Sequence, residues 1–278
     1  MKFKTKKISS FGLLIEPLAN SQDVQTLEPS ELLQLVGEHL IVVIRGFKTF
    51  DDSDAFTAYC ERFGKISIWP FGKVLNLVEQ ENPTDHIFAS SSVPLHWDGM
   101  YRSEVPEYQF FHCLKAPLDH QGGRTIFSNT VQALASAPEE FSELWSRATG
   151  TYERKMEFYH SRVSAPVVAR HPYKNRTVIR YNEPALQSEE DFINPPDIRI
   201  EGLNEAETKL LHDSLRSALY AAENCYAHQW MRGDIVITDN FSLLHGREKF
   251  TSRASRHLQR IHVLGNPPYQ NPDLTVFR

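Results

Sequence analysis

The sequence predicts a mainly β protein, a β-sandwich or barrel with a few peripheral helices. Short runs rich in β-branched and aromatic residues recur along the chain, turn residues separate them, and helical periodicity is confined to a few segments. With 278 residues, 41% of them hydrophobic and 23% charged, the chain can bury a sizeable core. Barrels and sandwiches of this length commonly form one unit, so we expect a single domain spanning residues 1–278.

The first third of the chain mixes strands and helices. The predicted elements are a strand at Ile41–Arg45, a helix at Asp51–Phe63 and a strand at Val74–Val78. A polar stretch at about 82–94 follows and predicts a loop. Because this loop immediately precedes His96, it is well placed to act as a lid over a site.

From residue 107 onward strand signals predominate. The predicted strands are Glu107–Leu114, Arg124–Phe127, Thr177–Tyr181, Tyr226–Met231, Asp234–Thr238, Phe241–His245 and Arg256–Leu264. Two helices are predicted between them, Thr130–Arg147 and Asn204–Glu223. The second helix has its apolar residues at helical spacing, namely Leu210, Leu211, Leu215, Ala218 and Leu219.

Charge and hydropathy argue against several classes of partner. The formal net charge is -5 and no basic run is present, which disfavours a nucleic-acid partner. No stretch reaches the roughly 18 apolar residues of a membrane span, and the apolar run near the start is too short for a signal peptide. We therefore expect a cytoplasmic protein with a small-molecule substrate, and a homo-oligomer is compatible with the sequence. The scattered Cys60, Cys113 and Cys225 are predicted to be reduced.

His96 and Asp98 form a candidate metal-binding pair. Residues two apart in an extended segment project to the same side, so both can reach one ion. Two histidines and one carboxylate on one face of an octahedron leave neighbouring positions open, which iron(II) oxygenases need. The spacing alone is weak evidence, because among twelve histidines such a pair arises by chance roughly half the time.

His245 is the candidate third ligand. An apolar run at Ile235–Ile237 leads through a polar turn to His245, and Gly246 follows directly. This pattern suits a ligand held at the end of a strand, with backbone freedom beside it. The histidines at 112 and 212 are better explained as core or surface residues.

Two arginines alternate along the last predicted strand. Arg256 and Arg260 share one face with Leu258 and His262. If this face points into a barrel, each guanidinium needs an anion, and the roughly 13 Å between their Cα atoms favours two separate anions. Spacing alone leaves the alternative open that both arginines lie on a solvated face, paired with surface acids.

Taken together, these residues resemble the taurine dioxygenase (TauD/TfdA) family of iron(II)/2-oxoglutarate-dependent oxygenases, from about Phe11 to Leu264. The shared marks are His96-x-Asp98 followed by Gly99, the segment 122–125, the strand and turn at 234–240, and the spacing of eleven and fifteen residues from His245 to the two arginines. The resemblance implies a double-stranded β-helix (jelly roll), clavaminate synthase-like in fold.

The resemblance also implies a role for each residue of the site. His96, Asp98 and His245 would bind Fe(II). Arg256, helped by the Thr125 hydroxyl, would bind the distal carboxylate of 2-oxoglutarate, and O2 would be the oxidant. Arg260 would remain for an acidic group of the substrate. The aryl ring of a substrate could be enclosed by aromatic side chains, for which the candidates are Tyr101, Phe158 and Tyr159.

Within the family, the strings at 96–101 and 244–248 are most similar to the oxygenases of bacterial isonitrile biosynthesis, the PvcB-like group. This similarity implies desaturation of an amino-acid-derived isonitrile, commonly from tyrosine, in secondary metabolism. The carboxylate of Asp98 favours hydroxylation or desaturation over halogenation, because halogenating members carry a small residue there. The alternatives are a hydroxylase of another amino acid or small acid, a 2-oxoglutarate-independent cupin-type metalloenzyme, and a non-catalytic jelly-roll binding protein.

Overall fold

Most elements of the computed structural model are strands. The structure describes residues 3–157, 159–185, 192–252 and 256–277. Phe158, one of the predicted contacts of a substrate ring, lies outside these residues. The strands are β1 (Phe3–Lys7), β2 (Leu13–Pro17), β3 (Ile41–Ile44), β4 (Leu75–Val78), β5 (Val93–His96), β6 (Glu104–Val105), β7 (Tyr108–Lys115), β8 (Thr125–Asn129), β9 (Thr149–Met156), β10 (Tyr159–Pro166), β11 (Val168–Arg170), β12 (Thr177–Ile179), β13 (Asp197–Glu201), β14 (Cys225–His228), β15 (Ile235–Asp239), β16 (Leu243–Arg247), β17 (His257–Val263), β18 (Tyr269–Gln270) and β19 (Leu274–Val276). The α-helices are α1 (Pro29–His39), α2 (Ser53–Glu61), α3 (Thr130–Ala135), α4 (Glu139–Arg147) and α5 (Glu205–Leu219).

Two facing sheets form the centre of the protein. The large sheet has the order β1-β2-β3-β15-β7-β17-β4, and the small sheet has the order β14-β8-β16-β5. Their inner faces share one core cluster, to which Phe111 and Leu258 contribute from the large sheet and Phe127 and Leu243 from the small sheet. Strands distant in sequence are neighbours in both sheets, as in a jelly roll.

Helices and a peripheral sheet cover the outer faces. The helix α2 packs Phe56 against Ile261 and Val263 on the outside of the large sheet. On the outside of the small sheet, Leu244 belongs to a cluster with Trp145 of α4. The same cluster includes residues of the peripheral sheet, whose order is β13-β9-β10-β19.

The strand β17 is buried on both faces. Leu258 belongs to the core between the two sheets, and Ile261 and Val263 pack under the helices. Arg256 is 5% exposed and the Arg260 side chain is 11% exposed. The alternative that placed both arginines on a solvated face is therefore wrong, and the predicted alternation along this strand is confirmed.

The predicted helix Thr130–Arg147 is two helices. The helix α3 ends at Ala135, and Pro138 precedes α4 as its N-cap with φ -52° and ψ 142°. A proline disfavours helical backbone at the residue before it, and its ring clashes with the preceding helical turn. The break therefore follows from one residue that the apolar periodicity concealed.

The helix α5 is shorter than predicted and is rotated relative to the expected face. Asn204 caps its first turn reciprocally with Glu207. Leu211 and Leu215 are fully buried, but Leu210 is 47% exposed, so its inclusion in the apolar face was wrong. The predicted strand at Thr177–Tyr181 is present as β12, which forms a hairpin with β11.

Cys60 and Cys113 are buried and Cys225 is half-buried, and none of the three forms a disulfide, as predicted. In the described part of the chain, no helix combines the length and the apolar character needed to cross a membrane. The cytoplasmic location, the oligomeric state and the single-domain boundaries stay predictions.

Gly246 is required for a reason that differs from the predicted one. The strand β16 does not end at His245 but continues to Arg247, so Gly246 lies within it. A Cβ atom at Gly246 would lie 2.5 Å from the carbonyl oxygen of Val93 on the neighbouring β5. Glycine therefore permits the close approach of the two strands that carry His96 and His245.

Replacing Gly246 with alanine is expected to lower the free energy of unfolding by about 1–3 kcal/mol, because the new methyl group would force β5 and β16 apart. The matched control is Gly37→Ala in α1, where the described residues, the helix's own neighbouring backbone aside, have no atom within 4 Å of an added Cβ. This control is expected to raise stability by about 0.5–1 kcal/mol. Urea unfolding of both variants measures the difference, and equal effects would contradict the explanation.

Candidate metal centre and its two cavities

Two antiparallel strands bring the three predicted ligands together. His96 of β5 lies opposite His245 of β16 in the pairing, and their ring centroids are 4.3 Å apart. Asp98 follows in the turn after β5. One ligand atom from each of His96, Asp98 and His245 lies within 4.8 Å of the other two. Residues about 150 positions apart in sequence thus meet at one point.

Both imidazoles are neutral, and His96 is in the tautomer that presents Nε2 to a metal. The Nδ1 of His96 lies 2.9 Å from the Pro94 carbonyl and donates to it, so Nε2 carries the free lone pair. Burial lowers the pKa of His96. Burial and the nearby His96 hold the pKa of His245 well below its usual value. Both rings are therefore neutral near pH 7, as metal binding requires.

The carboxylate of Asp98 is held in its charged form by three donors. Its Oδ2 accepts from Gln109 Nε2 at 2.6 Å and from His262 Nε2 at 2.8 Å, and it lies 2.7 Å from Arg260 Nη1. Burial alone would raise the pKa of Asp98, but the charge of Arg260 and then the contact with His262 outweigh it and hold the pKa well below its usual value.

The backbone of Asp98 is clamped as well. The Asn240 side chain accepts from the Asp98 N–H at 3.0 Å and donates to its carbonyl at 2.9 Å. Arg180 donates to the Asn240 carbonyl at 3.0 Å, and its guanidinium lies between the rings of Trp97 and Phe241, 4.5 and 4.9 Å from their centroids. The turn that carries Asp98 is thereby fixed to the turn that precedes β16.

A first cavity contains the predicted 2-oxoglutarate residues, Arg256 and Thr125. Arg256 Nη2 donates to Thr125 Oγ1 at 3.2 Å, and Trp230 Nε1 donates to the same hydroxyl at 2.9 Å. Burial, with the charge of Arg247 adding to it, lowers the pKa of Arg256 to about 9. Among the described residues no carboxylate pairs with Arg256, so this guanidinium suits an anion from outside the chain.

A second cavity on the other side of the candidate ligands is largely aromatic. Its apolar wall includes Trp69, Phe71, Met100, Tyr101, Tyr159 and Phe192. The predicted pair Tyr101 and Tyr159 stack with centroids 5.9 Å apart and an interplanar angle of 28°. Both therefore lie where a ring-bearing substrate would contact them, and their substrate role stays a prediction.

Arg260 lies between the two cavities and lines both. Arg260 is predicted to bind an acidic group of the substrate, but in the structure it already forms an ion pair with Asp98. Its Nε has no hydrogen-bond partner among the described residues. A guanidinium has five donors in a planar fork, so Arg260 can hold Asp98 and still meet a second anion.

The segment predicted as a lid, at about 82–94, forms one wall of the aromatic cavity. Its last residues belong to β5. The Arg247 guanidinium donates to four of its carbonyls, those of His86, Ile87, Ala89 and Ser91. Arg154 Nη2 contacts both carboxylate oxygens of Asp85, at 2.7 and 2.6 Å. The segment is thus tied to the sheets at both ends, and its action as a lid stays a prediction.

Sequence reasoning missed several residues of the site. Gln109 and Asn240 contact Asp98 through amides, which carry no motif that a single sequence reveals. His262 shares a face with Arg260, and that alternation could have identified it as a neighbour of the metal. Arg154 lines the aromatic cavity but comes from a strand that was not predicted.

Comparison with known proteins now identifies the class to which this fold and site belong. The chain belongs to the taurine catabolism dioxygenase TauD, TfdA family, which it matches over residues 11–262.

Several individual relatives match this chain over nearly its full length. A tyrosine isonitrile desaturase from Pseudomonas aeruginosa is 47% identical over 264 residues, covering 95% of this chain and 91% of that protein. A 3-((Z)-2-isocyanoethenyl)-1H-indole synthase from Fischerella ambigua is 36% identical, covering 95% and 96%. The crystal structure of PvcB from Pseudomonas aeruginosa is 42% identical with a TM-score of 0.87, covering 99% and 96%.

These findings confirm the predicted fold and enzyme class. A structure of PvcB that is 41% identical, with a TM-score of 0.85, covers 99% of this chain and 96% of that one and is described as an Fe, alpha-ketoglutarate dependent oxygenase from an isonitrile synthetic pathway. The chain is a jelly-roll oxygenase that uses Fe(II), 2-oxoglutarate and O2. The cupin-type enzyme and the non-catalytic binding protein are no longer needed as alternatives.

Replacing His96 with alanine is expected to weaken metal binding by at least about 100-fold, because one of three ligands is lost and the remaining pair cannot hold the ion. Titration of the metal-free protein with Fe(II) under anaerobic conditions measures this. The control is His257→Ala, which removes a partly exposed histidine from β17 and should bind as the wild type does. Unchanged affinity in the His96 variant would overturn the ligand assignment.

Replacing Arg256 with methionine is expected to weaken 2-oxoglutarate binding about 100-fold, because the buried cation that would meet its distal carboxylate is gone. Thr125→Val should cost about tenfold, since one hydrogen bond is lost. Calorimetry on the metal-loaded protein measures both. Arg199→Met removes an exposed arginine of the peripheral sheet and serves as the control; a loss there as large as at Arg256 would contradict the assignment.

Proposed function

We propose that this chain desaturates an amino-acid-derived isonitrile in secondary metabolism, and that tyrosine isonitrile is its substrate. The observation that carries the proposal is the 47% identity to a tyrosine isonitrile desaturase along 95% of this chain. The match extends over nearly the full length, so the segments that form the cavity walls and the metal centre lie within it, which supports a shared substrate class as well as a shared fold.

The proposed Fe(II) ligands are His96, Asp98 and His245. Two neutral imidazoles and one charged carboxylate fit a non-haem iron(II) site in both charge and donor type. The proposed anchor of 2-oxoglutarate is Arg256 with Thr125, supported by the uncompensated charge of this buried guanidinium. His96 lines both cavities, while His245 lines the first and Asp98 the second, so both substrates would lie next to the metal.

The proposed orientation of the isonitrile follows from the cavity walls. Its carboxylate would pair with the free donors of Arg260, at the end nearest the metal. Its aryl ring would lie against Tyr101 and Tyr159. An apolar aromatic wall excludes water, and two anchored ends hold the carbon chain between them, which brings a single C–H bond towards the reacting centre.

The overall reaction balances with one equivalent each of O2 and 2-oxoglutarate. Bound iron with these two cosubstrates supplies a two-electron oxidation. The substrate loses two hydrogen atoms and gains a carbon–carbon double bond, while 2-oxoglutarate becomes succinate and carbon dioxide. The second oxygen atom of O2 leaves as water with the two hydrogen atoms. The residues of this chain contribute binding and orientation.

Two alternatives within the same site are favoured by specific observations. The 36% identical synthase that makes an isocyanoethenyl indole favours an indole-bearing isonitrile as a second candidate substrate. The presence of a carboxylate at Asp98 is equally compatible with hydroxylation. The products distinguish the reactions, because desaturation removes two hydrogen atoms and hydroxylation adds one oxygen atom.

The protein is expected to form succinate in equal amounts with a dehydrogenated product when supplied with Fe(II), 2-oxoglutarate, O2 and tyrosine isonitrile. Mass spectrometry measures product and succinate together. The comparison substrates are tryptophan isonitrile, phenylalanine isonitrile, tyrosine and taurine. Absence of substrate-dependent succinate with every isonitrile would overturn the proposal, and a product heavier by one oxygen atom would replace desaturation with hydroxylation.

A further inference from the structure

Trp69 lies in the wall of the aromatic cavity, in a tight loop formed by residues 68–72. The loop follows Ser67, whose N–H donates to the His262 carbonyl at 2.9 Å along β17. Trp69 and Gly72 exchange two backbone hydrogen bonds, at 3.0 and 2.8 Å, which closes the loop. The Trp69 ring stacks on Phe71 with centroids 5.6 Å apart. The position of Trp69 is therefore defined by the large sheet on which the loop is built.

A cation also contacts the ring. The guanidinium of Arg102 lies 5.0 Å from the Trp69 centroid, and its Nη2 donates to the Ile68 carbonyl at 2.7 Å. Arg102 thus holds both the ring and the backbone of the loop.

The indole N–H of Trp69 points away from the cavity and towards the metal centre. Its Nε1 donates to His262 Nδ1 at 3.0 Å, and His262 Nε2 lies 2.8 Å from Asp98 Oδ2. An indole nitrogen only donates, so Nδ1 of His262 must be the acceptor. The proton of the neutral His262 ring is then on Nε2, where it can be donated to the Asp98 carboxylate. Without the indole N–H, the opposite tautomer would present a lone pair to that carboxylate.

The oxygen that accepts the bond from His262 is Oδ2 of Asp98, whose carboxylate is a proposed metal ligand. Gln109, His262 and Arg260 all contact Asp98 Oδ2, whereas Oδ1 lies 3.8 Å from His96 Nε2. Donors gathered on one oxygen orient the carboxylate and tune its strength as a ligand. His262 is the ring among these donors, and its tautomer is set by its contact with Trp69.

We propose that Trp69 is a positioning residue of the metal centre: its indole N–H fixes the tautomer of His262 and, through it, the orientation of the Asp98 carboxylate. The proposal rests on the proposed role of Asp98 as a ligand. Because the same ring also lines the aromatic cavity, the wall that a substrate contacts and the carboxylate of the metal site are joined through two hydrogen bonds.

The test is the affinity of the metal-free protein for Co(II), measured by competition with a chelator, in a double-mutant cycle. Trp69→Phe keeps an aromatic wall and removes only the N–H, and it is expected to weaken Co(II) binding about tenfold. His262→Leu is expected to weaken it by about 10- to 100-fold. The double variant is expected to match His262→Leu within about twofold, because Trp69 acts only through His262.

Two further variants test whether the effect belongs to this hydrogen bond. Trp145→Phe removes the indole N–H that donates to Ser214, outside both cavities, and is expected to leave both the Co(II) affinity and the d–d absorption bands of the Co(II) protein unchanged. Trp69→Phe is expected to shift those bands, since the ligand field of the carboxylate changes. If Trp69→Phe does not fold, Arg102→Met loosens the same ring without altering a residue of the site and is expected to weaken Co(II) binding in the same direction.

The proposal is overturned if Trp69→Phe binds Co(II) as the wild type does, or if its effect persists undiminished in the His262→Leu background. Failure of the ligand assignment gives a different result, because His96→Ala would then retain the wild-type affinity. The two failures are therefore distinguishable in one set of titrations.

Discussion

The arrangement of the site depends on one buried negative charge, the carboxylate of Asp98. A carboxylate in a protein interior is strongly destabilised unless cations and hydrogen-bond donors surround it. Here Arg260 and His262 come from β17, Gln109 comes from β7, and Asn240 clamps the backbone from the turn before β16. The requirement to compensate this charge therefore links the large sheet to the turn that carries Asp98. It also makes the geometry of the candidate metal centre depend on the stability of the fold.

The buried arginines differ in the groups that compensate their positive charge. Arg260 and Arg154 each have a carboxylate partner, Arg247 has four backbone carbonyls, and Arg180 lies between two aromatic rings. Within the described residues, Arg256 has only the Thr125 hydroxyl. Among the described residues, the other buried guanidiniums are compensated by groups of the protein itself, whereas Arg256 has no carboxylate or carbonyl partner. This difference supports the proposal that Arg256 binds an anionic ligand. This contrast is stronger evidence for a cosubstrate site than the burial of Arg256 alone.

The role of Arg256 as cosubstrate anchor rests on the family resemblance and stays a prediction. From strand geometry, the sequence predicted that His96 and Asp98 project to the same side of one extended segment and that the two arginines share one face of the last strand. It also predicted most central strands, whose apolar runs are buried on both faces. It did not predict Gln109 as a neighbour of Asp98, since that contact requires β7 to lie beside β17, and sheet order is not written in local periodicity. The hairpin of β9 and β10 was missed because its strands are mostly polar, with few buried positions such as Tyr152 and Val163.

The hairpin of β9 and β10 contributes to the aromatic cavity but not to the candidate metal site. Arg154, Met156 and Tyr159 reach the aromatic cavity from the peripheral sheet, whereas the candidate ligands belong to the small sheet and its turn. Mutations in the hairpin can therefore reshape what the cavity accepts without disturbing the pairing of β5 with β16. This part of the cavity wall can change separately from the candidate ligands, whereas the part that contains Trp69 is hydrogen-bonded to Asp98 through His262. Descendants of this scaffold can therefore acquire new substrates through the hairpin while inheriting the same reaction.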